Sequence, residues 1–265
     1  MKKSWKYIFC SAASAVLLTG CVSERPSDIL LDELEAKVAR AMDPEGDYRK
    51  ARAYYQRQNV IEKGFWSDKH QLVEVRFKRP DKFKLSYYEK NTPLTEIISF
   101  GGRAWMVNHK KGETTEITGE ALDRFKVMLS LGHPDTDYDK LFAKVDMVIV
   151  REEEQEYYKL TCHPRLANAE PIVIYIDKKE YLPRRMELKI KHPDGDIESI
   201  SRITEYQKFG RILLPAFTEV FEGSREYTTR LVGYQLDAPF ADDVFHKPVF
   251  DPVLVEMQKQ RDRRR

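Results

Sequence analysis

The chain has 265 residues, with 45 lysines and arginines against 43 aspartates and glutamates, a formal charge of +2. Hydrophobic residues make up 42% of it, which supplies a packed core and excludes a disordered chain. The near balance of charge argues against a nucleic-acid partner, and three cysteines are too few for a disulfide framework.

Met1 to Lys6 carry Lys2, Lys3 and Lys6, and Tyr7 to Leu18 follow without a charge. That run is shorter than the roughly 20 residues a helix needs to cross a hydrocarbon core, and a basic flank before a short apolar core is the pattern of an export signal. It ends Leu18-Thr19-Gly20-Cys21, which resembles the bacterial lipobox: small side chains beside a scissile bond, then a thiol to carry a diacylglyceryl thioether. The expectation is a signal peptide over 1–20, lipidation of Cys21 with palmitate-type chains, a tether over 21–26, and one domain over 27–250. Val22 stands where an Asp would resemble an inner-membrane retention mark, which favours the outer membrane and its periplasmic face. Loss of the three leader lysines leaves 42 basic residues against 43 acidic ones. Cys162 is then the remaining thiol and reads as a small buried hydrophobe.

Ser27 predicts the cap of a helix running to Met42, with Ile29, Leu30, Leu34, Val38 and Ala41 on one stripe. Asp43-Pro44-Glu45-Gly46 stops it, and a short helix follows over 47–52. The period then becomes two. Val73, Val75 and Phe77 alternate with charged residues, as do Phe83, Leu85 and Tyr87, the signature of strands with one buried face. Similar runs recur at 53–66, 94–100, 103–109, 113–117, 145–151, 156–162, 171–177, 184–191, 197–207, 212–222 and 226–236. Turn signals separate them: Arg79-Pro80-Asp81, Gly101-Gly102, Lys111-Gly112, Pro193-Asp194-Gly195 and Glu222-Gly223, with Asp194-Gly195 a two-residue hairpin signal. Thr118 predicts the cap of an interrupting helix over 119–131, ended by Gly132-His133-Pro134, with Leu122, Phe125 and Leu129 on one face and Met128 and Leu131 beside it. Pro252 opens a final helix with Val253, Leu254 and Met257 on one face, ending in a basic tail, 251–265, that is solvated or meets anionic headgroups. The fold class is mainly β: an antiparallel sheet of about 11 strands, too large to stay flat, with helices over its concave side.

Catalytic chemistry is not legible. The histidines His70, His109, His133, His163, His192 and His246 are scattered and read as solvated turn residues, with no metal spacing. No nucleophile elbow, phosphate loop or dinucleotide fingerprint occurs, so neither enzyme nor cofactor is expected. Glu152-Glu153-Glu154 and Asp242-Asp243 read as loop charges.

One ordered set of residues does point to a family. Gly64-Phe65-Trp66, then Phe77 to Lys84 with Arg79-Pro80 at its turn, then Pro93 to Gly102 with Gly101-Gly102, then Trp105, resembles the periplasmic lipoprotein carrier LolA and its relatives. The closing segment, from Phe209-Gly210 through Leu214-Pro215 to Asp237, Pro239, Phe245 and Pro248, looks like the ending of the same lipoprotein-sorting group. The resemblance implies an incomplete, strongly curved antiparallel β-barrel whose cavity takes acyl chains of lipoproteins or lipids. The chain's own lipid places it nearer the anchored acceptor LolB. Gly64-Phe65-Trp66 is the candidate for LolB's protruding apolar loop and reads equally well as strand. The expected wall is Val73, Val75, Phe77, Phe83, Leu85, Tyr87, Trp105 and Val107, roofed by Leu122, Phe125 and Leu129. From the residues alone, the same side chains serve as well to fill a core. A second reading is an envelope sensor or scaffold that binds a protein partner, as the resembling domain of the sigma-factor regulator RseB does.

Overall fold

The computed structural model describes residues 23–251 except 132, 167–168 and 191–194. The leader, Cys21, Gly132, His192, Asp194 and the final helix and tail lie outside the described residues. The strands are β1 (Ser23–Pro26), β2 (Ala53–Glu62), β3 (Lys69–Lys78), β4 (Lys82–Glu89), β5 (Thr92–Phe100), β6 (Arg103–Asn108) and β7 (Glu113–Ile117). They continue as β8 (Phe142–Glu152), β9 (Gln155–Pro164), β10 (Ile172–Asp177), β11 (Pro183–Ile190), β12 (Ile197–Phe209), β13 (Ile212–Glu222) and β14 (Arg225–Leu236). All pair antiparallel in one curled, unclosed sheet ordered β1-β8-β9-β10-β11-β12-β13-β14-β2-β3-β4-β5-β6-β7. The helices are α1 (Leu31–Met42), α2 (Asp47–Lys50), α3 (Gly119–Ser130) and α4 (Tyr138–Leu141).

Each of the thirteen alternating runs forms a strand, and with one more the fourteen described strands exceed the eleven or so expected for the sheet. The additional one is Ser23–Pro26, expected as tether, which joins the edge of β8. Its four residues are all exposed and show no apolar alternation; ladder bonds hold it, with Arg25 on Glu156 at 3.0 Å and Glu24 on Lys159 at 2.7 Å. The run expected as strand over 53–66 ends at Glu62. The last β11–β12 pair is Ile190 with Ile197, so that connection is longer than the two residues Asp194-Gly195 implied. At Gly101-Gly102 the two-residue turn is as read, with Phe100 opposite Arg103 and φ of 61° and 74°, a left-handed pair that glycine adopts without a Cβ penalty.

Ser27 does not cap α1. Its hydroxyl donates to the Ile29 carbonyl at 2.8 Å, and Leu30 holds the cap position. Leu30 thus lies before the helix and is exposed, but the stripe holds at Leu34 and Val38, which are buried together with Met42. They meet Tyr158, Leu160, Cys162, Ile172, Ile174, Ile176, Ile212 and Leu214 in the main core. The face of the sheet turned to α1 is the inner face. Cys162 is fully buried there, and burial pushes its thiol up to about 12, so it acts as a hydrophobe. The Asp43 carboxylate accepts from the backbone N–H of Asp47 at 2.8 Å and Tyr48 at 2.9 Å, which starts α2 directly beneath the end of α1.

Leu160 has no exposed surface. Leu160→Ala is expected to lower unfolding stability by about 2–5 kcal/mol, the cost of a core cavity, read as a lower urea midpoint at unchanged slope.

Candidate functional site: the inner face under the third helix

Strand register decides which side chains share the inner face. Val73, Val75 and Phe77 stand opposite Tyr87, Leu85 and Phe83, and Leu85 and Phe83 stand opposite Ile97 and Ser99. Ile97 and Ser99 in turn pair with Met106 and Ala104. Trp105 and Val107 therefore point to the outer face, and their expected place in the inner wall is corrected. They are buried because residues 238–250 cross the outside of β3 to β6. Phe245 has no exposed surface, and Lys247 lies 5.7 Å from the Trp105 ring. His109 meets Phe250 at 5.7 Å, and Asp242 bridges Lys78 at 2.6 Å and Lys82 at 2.7 Å, which hold its carboxyl down at about 2. Adjacent Ile97 and Ile98 are the signal that was available: consecutive apolar residues in a strand mean cover on both faces.

The other wall residues fall on the inner face but do different things. Val73 is buried, and Val75 and Phe77 pack against the main core. Leu85, Tyr87 and Leu122 are half-buried. Phe77, Phe83 and Leu129 line a cleft of about 440 Å³ at the sheet's end. The Phe125 ring sits on Phe83 at 5.7 Å, edge to face. Leu141 adds to the cleft's apolar lining, while Arg79, Lys126 and Lys140 and Asp81, Asp135 and Asp137 supply balanced charge.

On the opposite flank of α3 lies a cavity of about 220 Å³, lined mainly by apolar side chains, among them Val127, Met128, Leu166, Ile172 and Leu188. Apart from Met128, these residues were not singled out from sequence, although the alternations Ile172-Ile174-Ile176 and Met186-Leu188 carried the same signal as β3. Between the two spaces, α3 has no fully buried side chain. It rests on the inner face without being built into the core as α1 is.

The family-motif residues also separate. The Arg79–Pro80 peptide is cis, and the Arg79 guanidinium donates to the carbonyls of Ala51 at 3.0 Å and Tyr48 at 3.1 Å. It also pairs with Asp135 at 3.4 Å, tying the β3–β4 turn to α2 and to the segment after α3. Gly64-Phe65-Trp66 is loop, and both aromatics are bare, 91% and 92% exposed. Their rings contact only edge to face at 4.9 Å. A Cβ on Gly64 would meet the Ser67 carbonyl oxygen at 2.1 Å, so the tight loop requires glycine.

His133 and His109 are not solvated turn residues. His133 lies among Tyr48, Tyr54 and Phe77, with Nε2 3.2 Å from the Tyr54 hydroxyl. Burial lowers its pKa to about 4, with Asp135 opposing and Arg79 assisting. His109 contacts buried Glu96 at 2.9 Å. Burial disfavours that carboxylate's charge, but His109, Lys84 and Ser86 outweigh it and hold its pKa below the usual range. Among the described residues no group of three or more His, Cys, Asp or Glu stands close enough to hold a metal ion.

This architecture is the LolA-type fold of lipoprotein-sorting domains. A putative outer membrane lipoprotein-sorting protein domain from Vibrio parahaemolyticus superposes with a TM-score of 0.55 at 11% identity, covering 80% of this chain and 94% of that one. A LolA superfamily protein from Nitrosomonas europaea gives 0.54 at 11% identity, covering 83% and 98%. A DUF1329 family protein from Desulfovibrio piger gives 0.56 at 12% identity, covering 81% and 96%. No protein-family model and no curated protein sequence matches the chain.

His133 is neutral in the fold down to about pH 4, against 6.5 for a free imidazole. The unfolded chain takes up this proton first, so its contribution is whole above pH 6.5 and is lost as pH falls from 6.5 to 4. The loss reaches about 3 kcal/mol, since each pH unit between those two values is worth about 1.4 kcal/mol. Urea unfolding of the parent chain and of His133→Gln across that window is expected to show a slope in the parent that is shallower in the variant by this amount.

Proposed function

We propose that this protein is a membrane-anchored lipoprotein that binds acyl chains between α3 and the inner face of its sheet, as an acceptor or carrier of lipoproteins or lipids in the cell envelope. The observation that carries the reading is α3 itself: a helix with no fully buried residue, flanked by a cleft of about 440 Å³ and an apolar cavity of about 220 Å³. Each space is small or open against the roughly 300–1,000 Å³ of a typical ligand pocket, and displacing the helix joins them. Transfer of a chain from bilayer to such a wall exchanges one apolar surrounding for another, so little net free energy changes and release stays possible. The LolA-type fold supports the carrier class. Cys21 carries the anchor, at the periplasmic face of the outer membrane. The bare Phe65-Trp66 tip, beside Lys63 and Lys69, has the composition of an interfacial membrane contact.

Native mass spectrometry of the full chain, purified in mild detergent, is expected to show co-purifying lipid. Displacement of a fluorescent acyl probe should weaken at least tenfold in Leu129→Asp and Met128→Asp, with stability within about 1 kcal/mol because both positions are partly exposed. A chain that stays empty and ignores acyl probes sinks the reading and leaves the fold as a scaffold for a protein partner.

Cys21→Ala is expected to move the protein from the membrane to the soluble envelope fraction. In the unlipidated protein, residual binding to vesicles should fall further with Trp66→Ser. Retention of Cys21→Ala in the membrane fraction would refute the anchor.

A further inference from the structure

Next to the cleft lies a third space, of about 200 Å³, with a different chemistry. Its floor is the middle of the inner face at β2, β13 and β14, and its roof is formed by Tyr48, Leu131, His133 and Pro134. Register explains the floor: Gln58 stands opposite Val73 on one side and Leu231 on the other, and Gln56 stands opposite Val75 and Tyr234. Two amides thus occupy inner-face positions where the neighbouring strand carries valines. Thr218 and Thr229, a cross-strand pair, add two hydroxyls. The Tyr234 hydroxyl is buried and has no hydrogen-bond partner among the described residues. No lining residue carries a charge, since His133 is held neutral by its burial. Tyr48 and His133 line both this space and the cleft, so the two adjoin.

We infer that this space is a headgroup subsite for a neutral, ester- or hydroxyl-bearing group, specifically an acylated glyceryl unit whose chain lies along α3. The inference rests on the acyl-binding reading above and names the chemistry that reading leaves open. An ionised carboxylate or phosphate entering here would lose its water and find only neutral dipoles, a large penalty. Ester carbonyls and glycerol hydroxyls lose much weaker hydration and meet phenol, amide and threonine partners in return. The unpartnered Tyr234 hydroxyl is a donor already stripped of solvent, and a buried group in that state calls for a partner. Such a unit occurs in free acylglycerols and in the thioether-linked diacylglyceryl group of lipoproteins, and both present the same neutral face.

The test compares lipids with one chain and different heads. Monoolein, oleate and 1-oleoyl lysophosphatidate compete for a fluorescent acyl probe on the full chain at pH 8, beside a diacylglyceryl-cysteine peptide. Monoolein or the peptide is expected to bind at least tenfold tighter than oleate and lysophosphatidate, and whichever of the two is tighter identifies the source. Tyr234→Phe and Gln58→Leu should bring that ratio towards one while leaving oleate binding unchanged. Oleate binding as tightly as monoolein overturns the subsite but leaves the acyl site standing. A neutral-head preference untouched by either variant overturns its location. Failure of all four ligands to bind overturns both readings together.

Discussion

A curled sheet of this length encloses more space than one amphipathic helix can fill, and the remaining features follow from that mismatch. Leu34, Val38 and Met42 of α1 sink fully into the inner face and close the half built from β8 to β13. α3 bridges the two sides of the curl, with Phe125 on Phe83 of β4 and with Val127 and Met128 lining a cavity together with Ile172 and Leu188 of β10 and β11, and it commits no side chain completely. Space survives on both flanks of α3, a cleft on one side and an apolar cavity on the other.

The outer face shows how the same sheet is kept rigid where its inside is loose. The segment after β14 lies across β3 to β6, with Phe245 seated in an apolar patch beside Ile98, Val107 and Trp105, all buried. Asp242 reaches Lys78 and Lys82 at the turn end, and Glu96 is buried there with Ser86, Lys84 and His109 around it. The strands whose inner face borders the cleft are thus covered on their outer face. Arg79 links this braced region to α2 and to the segment that follows α3, so the Arg-Pro turn serves to hold the roof in position.

Polarity along the inner face is graded. Apolar side chains dominate in the cavity beside Val127 and Met128, charged ones rim the cleft on the other flank of α3, and Gln56, Gln58, Thr218 and Thr229 gather beneath Leu131, His133 and Pro134. His133 lines both the cleft and this uncharged space, its ring tilted against Tyr48 and edge-on to Tyr54, whose hydroxyl 3.2 Å from Nε2 offsets the cost of burying the imidazole.

Much of this was legible from the residues. Period-two alternation gave nearly every strand, Gly101-Gly102 gave its turn, and the stripe of Leu34 and Val38 gave the helix that anchors the core. Alternation fixes parity but not side: it says that Trp105 and Val107 are buried together, and is silent on which face buries them. Only the register through β4, β5 and β6 and the return of residues 238–250 placed them outside. Likewise Ser23–Pro26 has no apolar pattern to announce a strand, because its pairing comes from backbone and charge. The histidines beside glycine and lysine looked solvated because sequence neighbours, not spatial ones, were visible. What the sequence determined by itself was therefore the class of fold, since periodicity is a local property of the chain. Whether the interior is solid or hollow was decided by tertiary structure, because it depends on how closely two separately encoded surfaces, the curl of the sheet and the side chains of α3, come to fit.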